Sequence, residues 1–386
     1  MQLNLINKKI MPYLLLISNI IYLASCQSAD NSIPIGFIAE LTGLHSDLGV
    51  EIRDGALLAV EQTNAAGGIN GRPIRLLMRD DQGNSDKART ACADLATQQV
   101  VSIFGTATST TTTALLTCTT AHHIIQVSPT ASSYYLAYQK DNLIRLMSNS
   151  HDEGIAMARY AYQKMGGRNV IAIIDLHNHL YTKAVWEAIQ TTFRELGGNT
   201  QEPIFFTSGQ TDLIKLISSN ISLNTLAQAD TVFLLSSAID TALLLQYINQ
   251  QKIQANFFAS GWVDTGDLLK KGGRSTENLK LSLYYNPHDN SPAFLKFNNE
   301  FYTRFQRSSS FGSIYAYEAM LVLIEGLRRT GGQANGLQTA LLNIKDFPLL
   351  QDNISIDKYG DVIRHLYIAN IHDGKLEILD KVMAHP

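Results

Sequence analysis

Short apolar runs alternate with longer helical patterns along most of this chain, and this alternation limits the fold more than any other feature. The runs lack the alternating polarity of half-exposed strands, so we expect them to be buried on both faces of a parallel sheet. In the first half the predicted strands are 33–39, 74–78, 100–104 and 124–127, and the predicted helices are 48–65, 86–99 and 111–122. Repeated strand–helix units with short connections are typical of a doubly wound α/β sheet.

A second alternating set begins near residue 151 and predicts a second, similar α/β half. Its predicted strands are 170–174, 204–206, 231–235, 257–259 and 279–284. Long helices are predicted at 292–307 and 313–329, and short antiparallel strands at 354–356, 366–371 and 376–379. A chain of 386 residues is long enough for two domains with separate cores.

Charge and motif content exclude several classes of function. The net charge is −3, and no run of like charges provides an electrostatic footprint for nucleic acid. The sequence has no G-x-G-x-x-G fingerprint, no Walker motif and no G-x-S-x-G nucleophile elbow. We therefore expect neither a nucleic-acid partner nor a cofactor.

A burst of hydroxyl side chains follows one predicted strand of the first half. The segment from Gly105 to Thr113 reads G-T-A-T-S-T-T-T-T, and seven of the eight residues after the glycine carry a hydroxyl. Hydroxyls that open a helix place O–H and free N–H donors at the positive end of the helix dipole. The segment therefore indicates an anion site, with helix capping or a solvated loop as the alternatives.

The first 26 residues are interpreted as an export signal. Lys8 and Lys9 precede the apolar stretch 10–24, which is shorter than the roughly 20 residues that a membrane-spanning helix needs. The stretch ends in Leu23-Ala24-Ser25-Cys26, which resembles a bacterial lipobox whose cysteine is acylated. A plain signal peptide with a chance cysteine is the alternative.

Cys92 and Cys118 are the two remaining cysteines, and they fall in consecutive predicted helices. An exported protein meets an oxidising compartment, where such a pair can form a disulfide. Two small buried thiols are the alternative, and the sequence leaves the choice open.

Several short motifs, taken in order, resemble the type I periplasmic solute-binding proteins of ABC transporters, the group that binds branched-chain amino acids, amides and related solutes. The motifs are the opening segment 35–49, the turn 65–71 followed by Asp80-Asp81, the hydroxyl run 105–113, and the segments 127–132, 261–262 and 315–319. The resemblance covers essentially the whole mature chain. It implies two doubly wound Rossmann-like domains joined by a three-crossover hinge, and solute capture by closure of the domains rather than catalysis.

The resemblance also implies how the chain is divided. After the lipoprotein signal peptide 1–26 and a short tether 27–32, the N-terminal domain takes 33–148 plus 288–348, and the C-terminal domain takes 149–287 plus 349–386. We expect a monomer, lipid-anchored on the periplasmic or cell-surface side of the membrane, that delivers its solute to an ABC permease complex. A ligand sensor that uses the same cleft is the alternative within this fold.

Solute contacts on the first domain follow from the resemblance position by position. The resemblance implies that the carboxylate of an amino-acid solute lies against Ser109 from the hydroxyl run and against Thr130, Ala131 and Ser132. Hydroxyls and backbone N–H groups hold a carboxylate by charge-assisted hydrogen bonds without arginine. Leu48 stands where the family often has an aromatic residue, which leaves the rest of the solute undefined.

Contacts from the second domain are implied in the same way. Tyr181 matches the family's aromatic residue, and Asp264 lies near the position where the family places an acid for the ammonium group of the solute. Trp262, one of two tryptophans in the chain, is expected to pack on the solute or close the hinge, with a place in the core as the alternative.

The segment 171–180, I-A-I-I-D-L-H-N-H-L, supports a rival interpretation. Its Asp-x-His-x-His ending resembles the first metal-ligand motif of amidohydrolases, because alternate residues of an extended chain bring His177 and His179 to one side. Such enzymes begin their closed barrel with this strand, whereas here a long α/β pattern precedes it. We therefore expect no metal-dependent hydrolase, and contact with the solute or exposure in a loop remain the alternatives for the two histidines.

Overall fold

Two α/β domains make up residues 31–383, the part of the chain that the computed structural model describes. The predicted fold class is confirmed by two separate, largely parallel sheets. The predicted signal peptide, with Cys26, and most of the tether lie outside the described residues. Within the described part of the chain, no helix is both long and apolar enough to span a bilayer.

The first domain is built on five parallel strands: β1 (Ile33–Ala39), β2 (Ile74–Asp80), β3 (Ser102–Gly105), β4 (Gln126–Ser128) and β5 (Leu143–Arg145). Their order across the sheet is β2–β1–β3–β4–β5. The helices that connect them are α1 (Ser46–Ala65), α2 (Ser85–Thr97) and α3 (Ser109–Ala121). On β1, Ile35 and Phe37 pack into one hydrophobic cluster and Ile38 into another, so the strand is buried on both faces as its apolar run predicts.

After β5 the chain crosses to the second domain. The parallel strands there are β6 (Asn169–Asp175), β7 (Asn199–Thr200), β8 (Ile204–Phe206), β9 (Thr231–Leu235), β10 (Asn256–Ala259) and β11 (Lys280–Leu283). They run in the order β11–β10–β9–β6–β7, and β8 also pairs with β6. The helices are α4 (Ser150–Gln163), α5 (His179–Glu195), α6 (Leu213–Ile217), α7 (Asn220–Gln228), α8 (Ala238–Gln250) and α9 (Gly266–Gly272).

A second crossing, after β11, returns the chain to the first domain. The returning elements are α10 (Pro292–Phe305), α11 (Phe311–Arg329), α12 (Leu337–Leu342) and the short antiparallel pair β12 (Phe347–Pro348) and β13 (Asn353–Ile354). Helix α11 packs closely along α1. The approach requires a glycine at position 55, because a Cβ on Gly55 would lie 2.1 Å from the carbonyl oxygen of Ser313.

The third crossing lies later than the boundary of 348/349 that the resemblance implies. The backbone N–H of Arg145 on β5 donates to the Gly360 carbonyl at 2.9 Å, and the Arg145 guanidinium pairs with Asp361 at 2.7 Å. These contacts keep the chain beside the first sheet as far as Asp361. It then enters β14 (His365–His372), which pairs antiparallel with β11 and with β15 (Lys375–Met383), so the predicted antiparallel tail completes the second sheet.

A disulfide bond joins Cys92 in α2 to Cys118 in α3, with the two Cα atoms 6.3 Å apart. The two helices lie side by side over the cluster that contains Ile38 and Leu95, and Cys92 is fully buried in it. Of the two alternatives that the sequence leaves open, the structure therefore shows the bridged form.

Replacing both Cys92 and Cys118 with alanine is expected to lower the free energy of unfolding by about 2–4 kcal/mol, because the unfolded chain without the cross-link has more conformational freedom. Urea unfolding of the purified protein measures this change. A reducing agent should destabilise the wild type to a similar extent and leave the double variant unaffected. Equal stability of the two proteins would contradict a contribution from the bond.

Candidate functional site

A cavity lies between the two domains, at the edge where strands of both sheets end. The cavity is small, and its lining comes from both domains and the crossings. The lining residues are Leu48, Ala107, Ser109, Thr130, Ser132, Met147, Asn178, Tyr181, Trp262, Tyr284 and Phe311. None of these described residues carries a charged side chain. Open α/β sheets bind their ligands at this edge.

Ser109 supplies a hydroxyl to one wall of the cavity. It is the first residue of α3, and Thr108 caps this helix by accepting a hydrogen bond from the backbone N–H of Thr111. The Ser109 Oγ accepts a hydrogen bond of 3.0 Å from the backbone N–H of Ser133, so its own proton remains available to a solute. Ser109 is therefore a donor at the positive end of a helix dipole.

Thr130 and Ser132 continue this wall from the loop after β4. The Thr130 hydroxyl donates to the Ala107 carbonyl oxygen at 2.7 Å, which uses its proton and leaves its oxygen as an acceptor. The other threonines of the hydroxyl run have a different role. The Thr106 hydroxyl hydrogen-bonds those of Thr111 and Thr112 at 2.7 and 3.0 Å inside the protein, so these residues fix the start of α3.

Glu153 on α4 holds the opposite, aromatic wall in place. This fully buried carboxylate accepts hydrogen bonds from the hydroxyls of Tyr181 and Tyr284, each at 2.8 Å. It also accepts one from the Ser282 hydroxyl and one of 2.8 Å from the backbone N–H of Gly261. One side chain thus joins α4 to α5, to β11 and to the segment after β10.

The electrostatics of this wall follow from its burial. Burial raises the pKa of Glu153, and its hydrogen bonds oppose that rise. Burial and the neighbouring Glu153 raise the pKa values of Tyr181 and Tyr284 well above the ordinary value, so both tyrosines keep their protons at neutral pH. The ring of Trp262 lies edge-on to Tyr181 with 6.3 Å between centroids, which extends the wall.

Five of the residues expected to contact a solute surround the cavity: Ser109, Thr130, Ser132, Tyr181 and Trp262. Ala131 and Asp264 do not line it. Ala131 is buried and its N–H donates to the Ser128 Oγ at 3.1 Å. Asp264 lies beside Tyr285 and the backbone of Phe311. Contact of any of these residues with a solute stays a prediction.

Four residues of the site were not predicted from the sequence: Glu153, Met147, Tyr284 and Phe311. The sequence motif offered His177 and His179 as possible solute contacts, whereas Asn178 between them lines the cavity. Tyr284 could have been found, because it ends the predicted strand 279–284 and strand ends form the binding edge. Glu153 has no comparable signal. An acid in the first turn of a helix is ordinarily explained by the helix dipole.

Glu153→Met is expected to lower the free energy of unfolding by more than about 3 kcal/mol, because four buried donors lose their acceptor at about 1–3 kcal/mol each. Glu153→Gln should cost less, since its amide oxygen still accepts. Glu195→Met, at the exposed end of α5, is the matched control and should stay near wild type. Urea unfolding measures all three, and a Glu153→Met variant as stable as the control would contradict this role.

Asp264 is expected to make stability depend on pH. Burial raises its pKa to about 7, against the lowering effects of Tyr285 and the Phe311 backbone amide. In the unfolded chain the pKa of Asp264 is near its ordinary value of 3.8. Between pH 3.8 and 7, Asp264 therefore takes up a proton when the protein folds. The stability that Asp264 contributes in this way falls as the pH rises toward 7.

Asp264→Asn should lack this dependence. Relative to the variant, the wild type is expected to lose up to about 1.4 kcal/mol per pH unit between about pH 5 and 7. Urea unfolding of both proteins across this range provides the comparison, and parallel pH profiles would show that Asp264 ionises normally in the folded state.

A second polar cluster lies beside the cavity, where the loop after β1 meets the second domain. His45 is almost fully buried, with its Nε2 3.0 Å from the Ser208 Oγ and 3.6 Å from a carboxylate oxygen of Asp240. Its ring centroid lies 4.7 Å from that of His177 and 5.6 Å from that of Trp262. His45 therefore extends from the first domain into a pocket formed by the second.

Charges around His45 set its protonation. Burial lowers the pKa of His45, but Asp240, Glu40 and Asp175 together raise it above the ordinary value. Burial and the neighbouring His45 lower the pKa of His177 to about 4. His179 begins α5 and does not belong to this cluster, so the structure separates the two histidines that the sequence motif paired.

The fold and the cavity define a class: two-domain α/β proteins that enclose a small molecule between their domains. The sequence profile described as periplasmic binding protein matches residues 32–375. The chain is 21% identical to the leucine-, isoleucine-, valine-, threonine- and alanine-binding protein of Pseudomonas aeruginosa over 342 aligned residues. The alignment covers 88% of this chain and 89% of that protein.

Solved structures show the same architecture. A leucine-binding protein from Thermotoga maritima superposes with a TM-score of 0.82 at 21% identity, covering 91% of this chain and 98% of that one. A solute-binding protein of an ABC transporter from R. palustris, solved with benzoate, superposes with a TM-score of 0.81 at 17% identity, covering 92% and 97%.

This chain belongs to the periplasmic binding protein family. Proteins of this family are extracytoplasmic, bind small molecules and work with the permeases of ABC transporters. Homologues and fold are those of substrate-binding proteins rather than enzymes, so the hydrolase interpretation of 171–180 is not retained.

Proposed function

We propose that this protein captures a small carboxylate-bearing solute in the cavity between its domains and delivers it to an ABC permease. The proposal rests on one observation: a wall of hydroxyls at a helix N-terminus faces an uncharged aromatic wall within a single cavity. Hydroxyls and N–H groups bind a carboxylate by charge-assisted hydrogen bonds, and aromatic side chains bind an apolar body.

The lining favours a carboxylate with an apolar body over a zwitterion. Among the described residues, no carboxylate lines the cavity to pair with an ammonium group. Asp264 lies outside the lining, and Glu153 is already occupied by its four donors. The benzoate complex of the R. palustris protein supports this choice. An amino acid or an amide is the second candidate, supported by the name of the P. aeruginosa relative.

Closure of the two domains is the proposed working motion. Ser109 and Thr130 belong to the first domain, whereas Asn178 and Tyr181 belong to the second, so a solute in the cavity contacts both at once. Such contacts exist only in the closed state, and binding therefore shifts the population toward it.

We also propose that the mature protein is a monomer held at the membrane by a lipid on Cys26. The Leu-Ala-Ser-Cys segment supports this anchor. Intact-mass analysis of protein extracted from the membrane tests it, because acylation of Cys26 adds the mass of its lipid, and Cys26→Ser should abolish the addition. An unmodified Cys26 or a cleavage site elsewhere would contradict the anchor.

A solute screen tests the proposed function. Benzoate, phenylacetate and branched aliphatic acids are expected to raise the melting temperature more than leucine, phenylalanine or amides do, with affinities confirmed by calorimetry. Tighter binding of the amino acids would favour the second candidate. Failure of every carboxylate to bind would overturn the proposal.

Ser109→Ala is expected to weaken the best carboxylate by roughly 1–3 kcal/mol, because a buried anion loses a hydroxyl donor. Thr113→Val is the matched control, since its hydroxyl donates to the Ser109 carbonyl within the same helix and lies outside the cavity lining. Calorimetric titration of the three folded proteins gives the comparison. Unchanged affinity in Ser109→Ala would remove Ser109 from the site.

A further inference from the structure

Three buried side-chain atoms beside the solute cavity lack a hydrogen-bond partner among the described residues: Glu40 Oε2, His45 Nδ1 and His177 Nε2. The side chains of Glu40 and His45 are only 4% and 2% exposed. A buried polar group left unpaired costs about 1–3 kcal/mol. Three such atoms in one cluster therefore need an explanation, and a bound cation would supply one.

The three side chains surround one small space. His45 Nδ1 lies 3.9 Å from Glu40 Oε2, and one ligand atom from each of the three residues lies within 4.8 Å of the other two. Gly83 borders the space with a φ of +66°, and a Cβ there would lie 2.6 Å from Glu40 Oε2 and 2.8 Å from His177 Nε2. A side chain at position 83 would fill the space that glycine leaves open.

The contacts of the other ring nitrogen explain how His45 is oriented. Its Nε2 lies 3.0 Å from the Ser208 Oγ and 3.6 Å from a carboxylate oxygen of Asp240, so the second domain holds this nitrogen while Nδ1 lies on the side of Glu40. Metal-bound histidines characteristically donate their second ring N–H to an outer acceptor of this kind. The loop that carries His177 is also fixed, because its backbone N–H donates to Asp175 at 2.9 Å.

We propose that Glu40, His45 and His177 form a binding site for a divalent transition-metal ion, with Zn²⁺ as the best match. Two imidazoles and a carboxylate are a donor set that zinc accepts at about 2.0–2.2 Å. Three atoms within 4.8 Å of one another share a point no more than about 2.8 Å from each, so movements of less than about 1 Å bring them to zinc distances.

This ion connects the two domains. Glu40 and His45 follow β1 in the first domain, whereas His177 follows β6 in the second. All three reach one ion only when the domains are closed, so the ion stabilises the closed state. Trp262 lines the solute cavity and lies against His45, which makes the two sites neighbours. The metal site itself rests on these contacts and not on the identity of the solute.

Zinc binding to the purified full-length protein, after dialysis against a chelator, tests the proposal. Calorimetry and elemental analysis are expected to show a Zn²⁺ ion bound in the cleft of each chain. Glu40→Gln, His45→Ala and His177→Ala should each weaken this binding at least tenfold. Absence of bound zinc, or affinity unchanged in these variants, would overturn the proposal and leave His45 as a proton-dependent ion-pair partner of Glu40.

Two histidine variants serve as matched controls. His179→Ala removes the histidine two residues after His177, outside the cluster. His372→Ala disrupts an exposed group with Glu277 and Asp373 that could also hold an ion. Both variants should keep the wild-type affinity of the cleft site. Loss of the zinc signal in His372→Ala would place the ion on the surface and overturn the proposal.

Gly83→Ala tests the geometry without removing a ligand. Its methyl group occupies the space between Glu40 and His177, so we expect zinc binding to fall at least tenfold while circular dichroism stays that of the wild type. Small-angle X-ray scattering tests the connection between domains. Zn²⁺ should make the wild type more compact and leave His177→Ala unchanged, and zinc binding without compaction would overturn the bridging role.

Discussion

The buried carboxylate of Glu153 is the interaction on which the geometry of the cleft depends. Removing such a group from water is costly, and it is stable here because its oxygens accept four hydrogen bonds. Those bonds orient Tyr181 and Tyr284 and fix the backbone before Trp262. The aromatic wall is therefore held by a polar group that does not itself line the cavity.

The charges of the cleft lie around the cavity rather than in its lining. Arg145 is fully buried, but its guanidinium pairs with Asp361 and donates to the Ser133 carbonyl at 2.8 Å. It therefore supports the loop that carries Ser132 without offering a charge to the solute. On the other side, His45 and its carboxylate neighbours form a separate cluster behind Trp262. As a result, only uncharged side chains are found in the described lining of the cavity.

The sequence predicted the features that depend on local pattern. Continuous apolar runs located most strands of both sheets, though not the short β5 and β7, and the family resemblance named Ser109, Thr130 and Tyr181, which line one cavity. The features it did not predict depend on contacts between distant segments. The third crossing follows from Arg145 and Asp361, and the displacement of Asp264 from the cavity follows from its packing beside Tyr285 and Phe311. His45 and His177 lie far apart in the sequence, so no local motif joins them.

The three crossings have a consequence for how this protein is made. The first sheet is synthesised early, yet α11, which packs along α1, follows only after nearly all of the second domain has been made. The second sheet in turn gains β14 and β15 only after the returning elements of the first domain have been made. Each domain is therefore completed only after part of the other has been made, so each half-built unit keeps an apolar face uncovered during synthesis.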